Sequence, residues 1–141
     1  MTYDDCMDLG MGRRILVVDD DVKVQSVVKR VAEAAGFQVL QAFDGPEGLA
    51  LAAEKMDLIL LDIHMPTMDG RDVLKRLKED PNTSGVPVLV YSGRESQYDR
   101  VVSLELGAAD YIDKPFEPSA LMRKIGHLIH KNARGAQKLA Q

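Results

Sequence analysis

The chain has 141 residues, 45% of them hydrophobic and 28% charged, with a net charge of −4 at pH 7 and one cysteine, Cys6. That length suits one compact domain and excludes two ordinary ones. The acidic balance argues against direct nucleic-acid binding, which usually needs a basic face; the lone thiol excludes an intrachain disulfide and suits a reducing cytoplasm.

Residues 1–12 lack periodicity and end in Gly10-Met11-Gly12. They read as a mobile extension. Asp4, Asp5 and Asp8 stand where a signal peptide would carry basic residues. Cys6 reads as an inert tail residue, with an intermolecular disulfide or redox contact as the alternative.

Strands and helices then alternate. A first strand is predicted over 14–18. A helix follows over 21–35, with Val24, Val27, Val28 and Val31 on one face and Gly36 as its stop. A strand over 37–42 leads to a helix over 46–54 with Leu49, Ala50 and Ala53 inward. A strand over 57–61 precedes a helix over 70–79 built on Val73, Leu74 and Leu77 and stopped by Pro81. A strand over 86–91, a helix over about 96–106 ending at Gly107, and a strand over 109–112 come next. Pro118 opens the last helix, whose stripe is Leu121, Ile125, Leu128 and Ile129. The polar, basic residues 132–141 read as a flexible tail, leaving a domain over 13–131. No apolar run reaches membrane-spanning length.

Ile15-Leu16-Val17-Val18, Leu58-Ile59-Leu60-Leu61 and Val88-Leu89-Val90 are continuously apolar rather than alternating. Strands covered on both faces read that way, as in a parallel sheet. The expected fold is therefore α/β: a doubly wound five-stranded parallel sheet with five helices on its two faces. In such sheets ligands bind beyond the carboxyl ends of the strands.

The chemically useful residues fall there. Asp19, Asp20 and Asp21 follow the first strand, Asp62 the third, Ser92 the fourth and Lys114 the fifth. Clustered carboxylates raise one another's pKa unless a cation neutralises them. Lys114 is one candidate cation. A divalent metal is another: all-oxygen ligands select Mg²⁺, Ca²⁺ or Mn²⁺, and few protein ligands with open positions favour Mg²⁺. Metal, carboxylate nucleophile, lysine and hydroxyl together make a phosphoryl-transfer site, with aspartyl phosphate as a chemically reasonable product.

Four segments carry a resemblance: Val17-Val18-Asp19-Asp20-Asp21, Leu60-Leu61-Asp62-Ile63-His64-Met65-Pro66-Thr67-Met68-Asp69-Gly70, Val90-Tyr91-Ser92-Gly93 and Gly107-Ala108-Ala109-Asp110-Tyr111-Ile112-Asp113-Lys114-Pro115-Phe116. In this order, over residues 13–131, the chain resembles the receiver domain of two-component response regulators. The resemblance implies a flavodoxin-like strand order 2-1-3-4-5. It implies Asp62 as phosphoacceptor, and Mg²⁺ held by Asp20, by Asp19 mostly through water, by Asp62 and by the backbone carbonyl of His64. Ser92 would donate to a phosphoryl oxygen and Lys114 would pair with Asp62 or its phosphoryl group. Tyr111 would turn inward behind Ser92 as an aromatic switch, changing the face made by helix 4, strand 5 and helix 5. A cis peptide before Pro115 is expected too. The implied partners are a sensor histidine kinase or histidine phosphotransfer protein upstream and a protein target downstream, all cytoplasmic. The implied chemistry is that of a phosphoacceptor limited to self-phosphorylation and autodephosphorylation, not an enzyme acting on a separate substrate.

Plainer readings stand beside these. Asp21 and Asp69 read as helix caps. His64 reads as an exposed loop residue; in the resembled family the side chain two places after the phosphoacceptor influences phosphoryl lifetime. His127 and His130 read as helix surface rather than a metal pair. Tyr98 and Arg100 read as either surface or partner contacts. Tyr111 competes with a half-buried strand aromatic that never switches. Ser92-Gly93 departs from the commoner Thr-Ala, keeping the hydroxyl while opening space at Gly93.

Two other functions compete. A haloacid-dehalogenase-like, Mg²⁺-dependent phosphatase also uses an aspartyl nucleophile, but wants a second acid where this chain has His64. An interaction module that works unphosphorylated would not need Asp19, Asp20, Asp62, Ser92 and Lys114 together. No sequence remains for an output domain, so a stand-alone regulator is expected.

Overall fold

The computed structural model describes residues 12–66, 68–92 and 97–140, with 97, 98 and 133–140 as backbone only. Cys6 and Gly93 lie outside them, as does the extension apart from Gly12. In chain order the elements are β1 (Arg14–Val18), α1 (Val22–Ala34), β2 (Gln38–Ala42), α2 (Gly45–Ala52), β3 (Leu58–Asp62), α3 (Gly70–Glu79), β4 (Val88–Ser92), α4 (Gln97–Glu105), β5 (Asp110–Asp113) and α5 (Pro118–Ala140). All neighbouring strands are parallel, in the order β2-β1-β3-β4-β5. Strand order reverses between β1 and β3, and a doubly wound sheet opens its ligand crevice at that point.

The continuous apolar runs divide by parity between two cores. Leu16, Val18, Ile59, Leu61, Val88 and Val90 face one side, where they meet Val73, Leu74 and Leu77 of α3. Ile15, Val17, Leu58, Leu60, Leu89 and Tyr91 face the other. There Val28 and Ala32 of α1, and Leu121, Ile125, Leu128 and Ile129 of α5, cover them. Side chains in a strand alternate between faces, so a helix layer on each side buries every residue of β3 and β4.

Two inward faces and one helix end differ from expectation. In α1 the buried residues are Gln25, Val28 and Ala32, and Val27 is exposed. The face is rotated because the Gln25 amide turns in. Its Nε2 donates to the carbonyls of Val17 at 3.0 Å, Asp19 at 3.1 Å and Ala42 at 2.8 Å. In α2 the buried residues are Gly45, Gly48 and Ala52, with Leu49 half-buried and Ala50 and Ala53 exposed. That helix lies so close to β1 that a Cβ at Gly48 would sit 2.9 Å from Val18 Cγ2. The helix of α5 continues to Ala140, past residue 131 where the domain was expected to end.

Capping explains the boundaries. Asp21 and Asp69 are N-caps, accepting from Lys23 N and Arg71 N at 2.9 Å each, and Asp44 caps α2 in the same way. Gly36 and Gly107 follow α1 and α4 at φ +96° and +108°, a conformation open to glycine at little cost. Asp80 is extended ahead of Pro81 and ends α3.

Gly70 decides how tightly the loop after β3 closes. Its N–H donates to Ile63 O at 3.1 Å. A Cβ there would lie 2.5 Å from Asp62 O and collide with the Ile63 Cα. Gly70→Ala should cost about 1–3 kcal/mol by overpacking backbone that cannot yield. Urea unfolding checks this, and stability equal to the parent would contradict the close approach.

Candidate functional site

Strand ends deliver the site residues. Asp19 follows β1 directly, Asp62 closes β3, Ser92 closes β4 and Lys114 follows β5. Asp62 is in register with Tyr91, and Ser92 with Asp113. Four segments distant in sequence therefore end on one sheet edge. Asp19 is fully buried and Asp62 nearly so, whereas Asp20 is exposed.

One carboxylate oxygen each from Asp19, Asp20 and Asp62 lie within 4.8 Å of one another. Lys114 Nζ reaches between two of these acids, 2.9 Å from Asp19 Oδ2 and 3.4 Å from Asp62 Oδ2. The other Asp62 oxygen, Oδ1, accepts from His64 N at 3.0 Å. Asp19 Oδ1 accepts from Asp21 N at 2.9 Å. The Lys114–Pro115 peptide is cis, as expected.

Charges do not balance here. Three carboxylates share one ammonium. Burial pushes the Asp62 carboxyl up to about 6, against the lowering by the His64 N–H and by Lys114, and with a further push from Asp19. A divalent cation would correct the imbalance, and the all-oxygen donor set suits a hard one. The residues present therefore fit a metal. His64 lies two residues beyond Asp62, on the loop whose N–H grips that carboxylate.

Ser92 is fully buried, and its hydroxyl hydrogen-bonds to the Tyr111 phenol. Tyr111 lies inward, 2% exposed. Burial raises its phenol above the ordinary value. The Arg100 guanidinium sits 5.7 Å above its ring, which ties α4 to β5. His64 is more than a free loop side chain: its Nε2 lies 2.8 Å from Asp99 Oδ2 on α4. His127 and His130 are exposed along α5.

Tyr91 was not anticipated as part of the site. It lies in an apolar strand and reads as core. Its hydroxyl donates to Asp19 Oδ2 at 2.5 Å, its ring underlies Lys114 Nζ at 4.4 Å, and it meets Phe116 edge-on at 6.0 Å. The available signal was a tyrosine at the penultimate position of a strand buried on both faces, since a buried phenol needs a polar partner.

The raised Asp62 carboxyl has a consequence for stability. Well below pH 4 the group is neutral in both folded and unfolded chains. Between about pH 4 and about 6 the unfolded chain ionises while the buried carboxyl of the folded chain keeps its proton, so stability falls as pH rises across that window and levels off above it. Without metal, Asp62→Asn should gain up to about 3 kcal/mol at pH 7.5 relative to pH 4. Urea melts with a chelator at both pH values check this. An unchanged difference between variant and parent would contradict it.

The comparisons with known proteins agree with this geometry. The family model described as the response regulator receiver domain matches residues 15–126. Transcriptional regulatory protein CpxR of Klebsiella pneumoniae is 42% identical over 119 residues, covering 84% of this chain and 50% of that protein. Transcriptional regulatory protein PrrA of Mycobacterium leprae is 44% identical over 132 residues, covering 92% of this chain and 55% of that one. The chain thus spans about half the length of the curated relatives it matches. Among solved structures, a CheY-like receiver domain protein from Methanospirillum hungatei superposes with a TM-score of 0.82 at 32% identity, covering 87% of this chain and 98% of that one. With four motifs at four strand ends and a family model over most of its length, the chain belongs to the response regulator receiver domain family.

Proposed function

We propose that Asp62 accepts a phosphoryl group from a sensor histidine kinase or a histidine phosphotransfer protein in the cytoplasm. The observation that carries this is the Asp62 carboxylate itself. It lies at the crevice, held through Oδ1 by the His64 N–H and through Oδ2 by Lys114, with two more acids beside it.

The roles follow from position. An Asp62 oxygen attacks phosphorus in line; the new O–P bond forms as the donor's P–N bond breaks, and the bonding pair leaves with the histidine nitrogen. Lys114 offsets negative charge on the phosphoryl oxygens. Asp19, Asp20, Asp62 and the His64 carbonyl would hold Mg²⁺. That ion, when bound, neutralises charge on the transferring group. Ser92 turns its hydroxyl from Tyr111 to a phosphoryl oxygen. The chain is a stoichiometric acceptor in this reading, limited to its own phosphorylation and dephosphorylation.

Phosphorylation re-weights packings that already coexist. Tyr111 is inward in this structure, so the proposed switch is a shift in population rather than a first entry of the ring. Two links carry it to α4: Arg100 over Tyr111, and Asp99 to His64. The proposed output is the face of α4, β5 and α5, read by a protein target. A net charge of −4 gives no support to direct contact with nucleic acid. Among the described residues no helix is long and apolar enough to cross a membrane.

A haloacid-dehalogenase-like phosphatase is the weaker reading. It lacks the second acid, because His64 stands there and turns to Asp99.

Radiolabelled acetyl phosphate with Mg²⁺ should label the parent chain and leave Asp62→Asn unlabelled. p-Nitrophenyl phosphate should not turn over. Full labelling of the variant, or steady p-nitrophenol release by the parent that the Asp62→Asn variant lacks, would contradict the assignment.

A further inference from the structure

Tyr91 occupies an unusual place. The side chain of Asp19 is fully buried. Its Oδ2 accepts from two donors, the Tyr91 phenol at 2.5 Å and Lys114 Nζ at 2.9 Å. Lys114 in turn has a second, longer contact with Asp62 at 3.4 Å, and Asp62 is the oxygen donor on which the proposed chemistry depends. Two acids thus compete for one ammonium, and the phenol supports one of the two competitors.

We propose that Tyr91 is a positioning residue: its hydroxyl partly satisfies Asp19 so that Lys114 stays within reach of Asp62 and the incoming phosphoryl group. This rests on the phosphoacceptor reading of Asp62. A buried carboxylate oxygen that loses a donor cannot turn to bulk water, and unsatisfied charge in such a place is costly. Without the phenol, Lys114 is the remaining side-chain donor recorded on Asp19 Oδ2, and it closes on Asp19 at the expense of Asp62. The ring contributes separately. It sits beneath the ammonium, where its π face attracts a cation, and its edge contact with Phe116 fixes its plane. Burial and the neighbouring Asp19 and Asp62 carboxylates hold the phenol far above its ordinary pKa, so it remains a donor. Charge-assisted hydrogen bonds are the strong ones, which makes a hydroxyl deletion measurable.

Tyr91→Phe removes the hydroxyl and keeps the ring. The expected result is about a tenfold fall in the saturating rate of acetyl phosphate labelling, at nearly unchanged half-saturating concentration. The ammonium acts on the transferring group more than on the free donor. Beryllofluoride, a phosphoryl mimic, gives a readout without turnover. Its affinity for the variant, followed by fluorine NMR, should weaken by a similar factor, and the fluorine resonance nearest Lys114 should move. Tyr91→Met, which fills the space with no phenol, should lose at least as much and serves if the phenylalanine variant does not fold. Labelling and beryllofluoride binding at parental levels in a folded variant overturn the proposal. Absence of labelling in the parent chain would instead overturn the reading of Asp62, so the two failures are distinct.

Discussion

Three carboxylates and a single ammonium meet at one end of the sheet, and most of the structure exists to hold that unbalanced group in place. Asp19, Asp20 and Asp62 lie within 4.8 Å of one another, with Lys114 between two of them. Like charges at that separation repel strongly where water is scarce. The backbone opposes the repulsion with N–H groups from Asp21 and His64, and Tyr91 adds a phenol. None of these donors brings a positive charge. The remaining deficit is what makes the edge receptive to a divalent cation.

Parallel strand topology is the means. Four of the five strands, β1, β3, β4 and β5, contribute their last or next residue to the same edge, so no segment carries more than a fraction of the site. Two apolar cores, one on each face, fix the strands in register. Gln25 adds a polar clamp, tying α1 to the ends of β1 and β2 through three carbonyls, Asp19's among them. Gly70 lets the loop after β3 fold back against Asp62. Packing far from the chemistry therefore sets the distances within it.

Much of this was legible in the residues. Continuous apolar runs told of strands covered on both faces, and the helix periods told of the layers covering them. Acids, hydroxyl and lysine stood out because none fits the apolar pattern of its own strand. What was hidden depended on distances that no pattern carries. Val27 looked inward by spacing, but the face of α1 is rotated where the Gln25 amide turns in to three carbonyls. Leucine and alanine looked like the buried face of α2, yet glycine faces the sheet where the helix comes closest. Tyr91 looked like core because its ring is core; only its hydroxyl belongs to the site. The pairing of His64 with Asp99 joins a loop to a helix 35 residues away, and sequence holds no local sign of it.

The most direct test of the central claim is to locate the phosphoryl group chemically. Chain phosphorylated with acetyl phosphate and Mg²⁺ is reduced with borohydride, which converts an aspartyl phosphate to homoserine, and is then digested and sequenced by mass spectrometry. The account predicts homoserine at position 62 and none when a chelator replaces the metal. Homoserine at another aspartate, or conversion at Asp62 undiminished by the chelator, would contradict it.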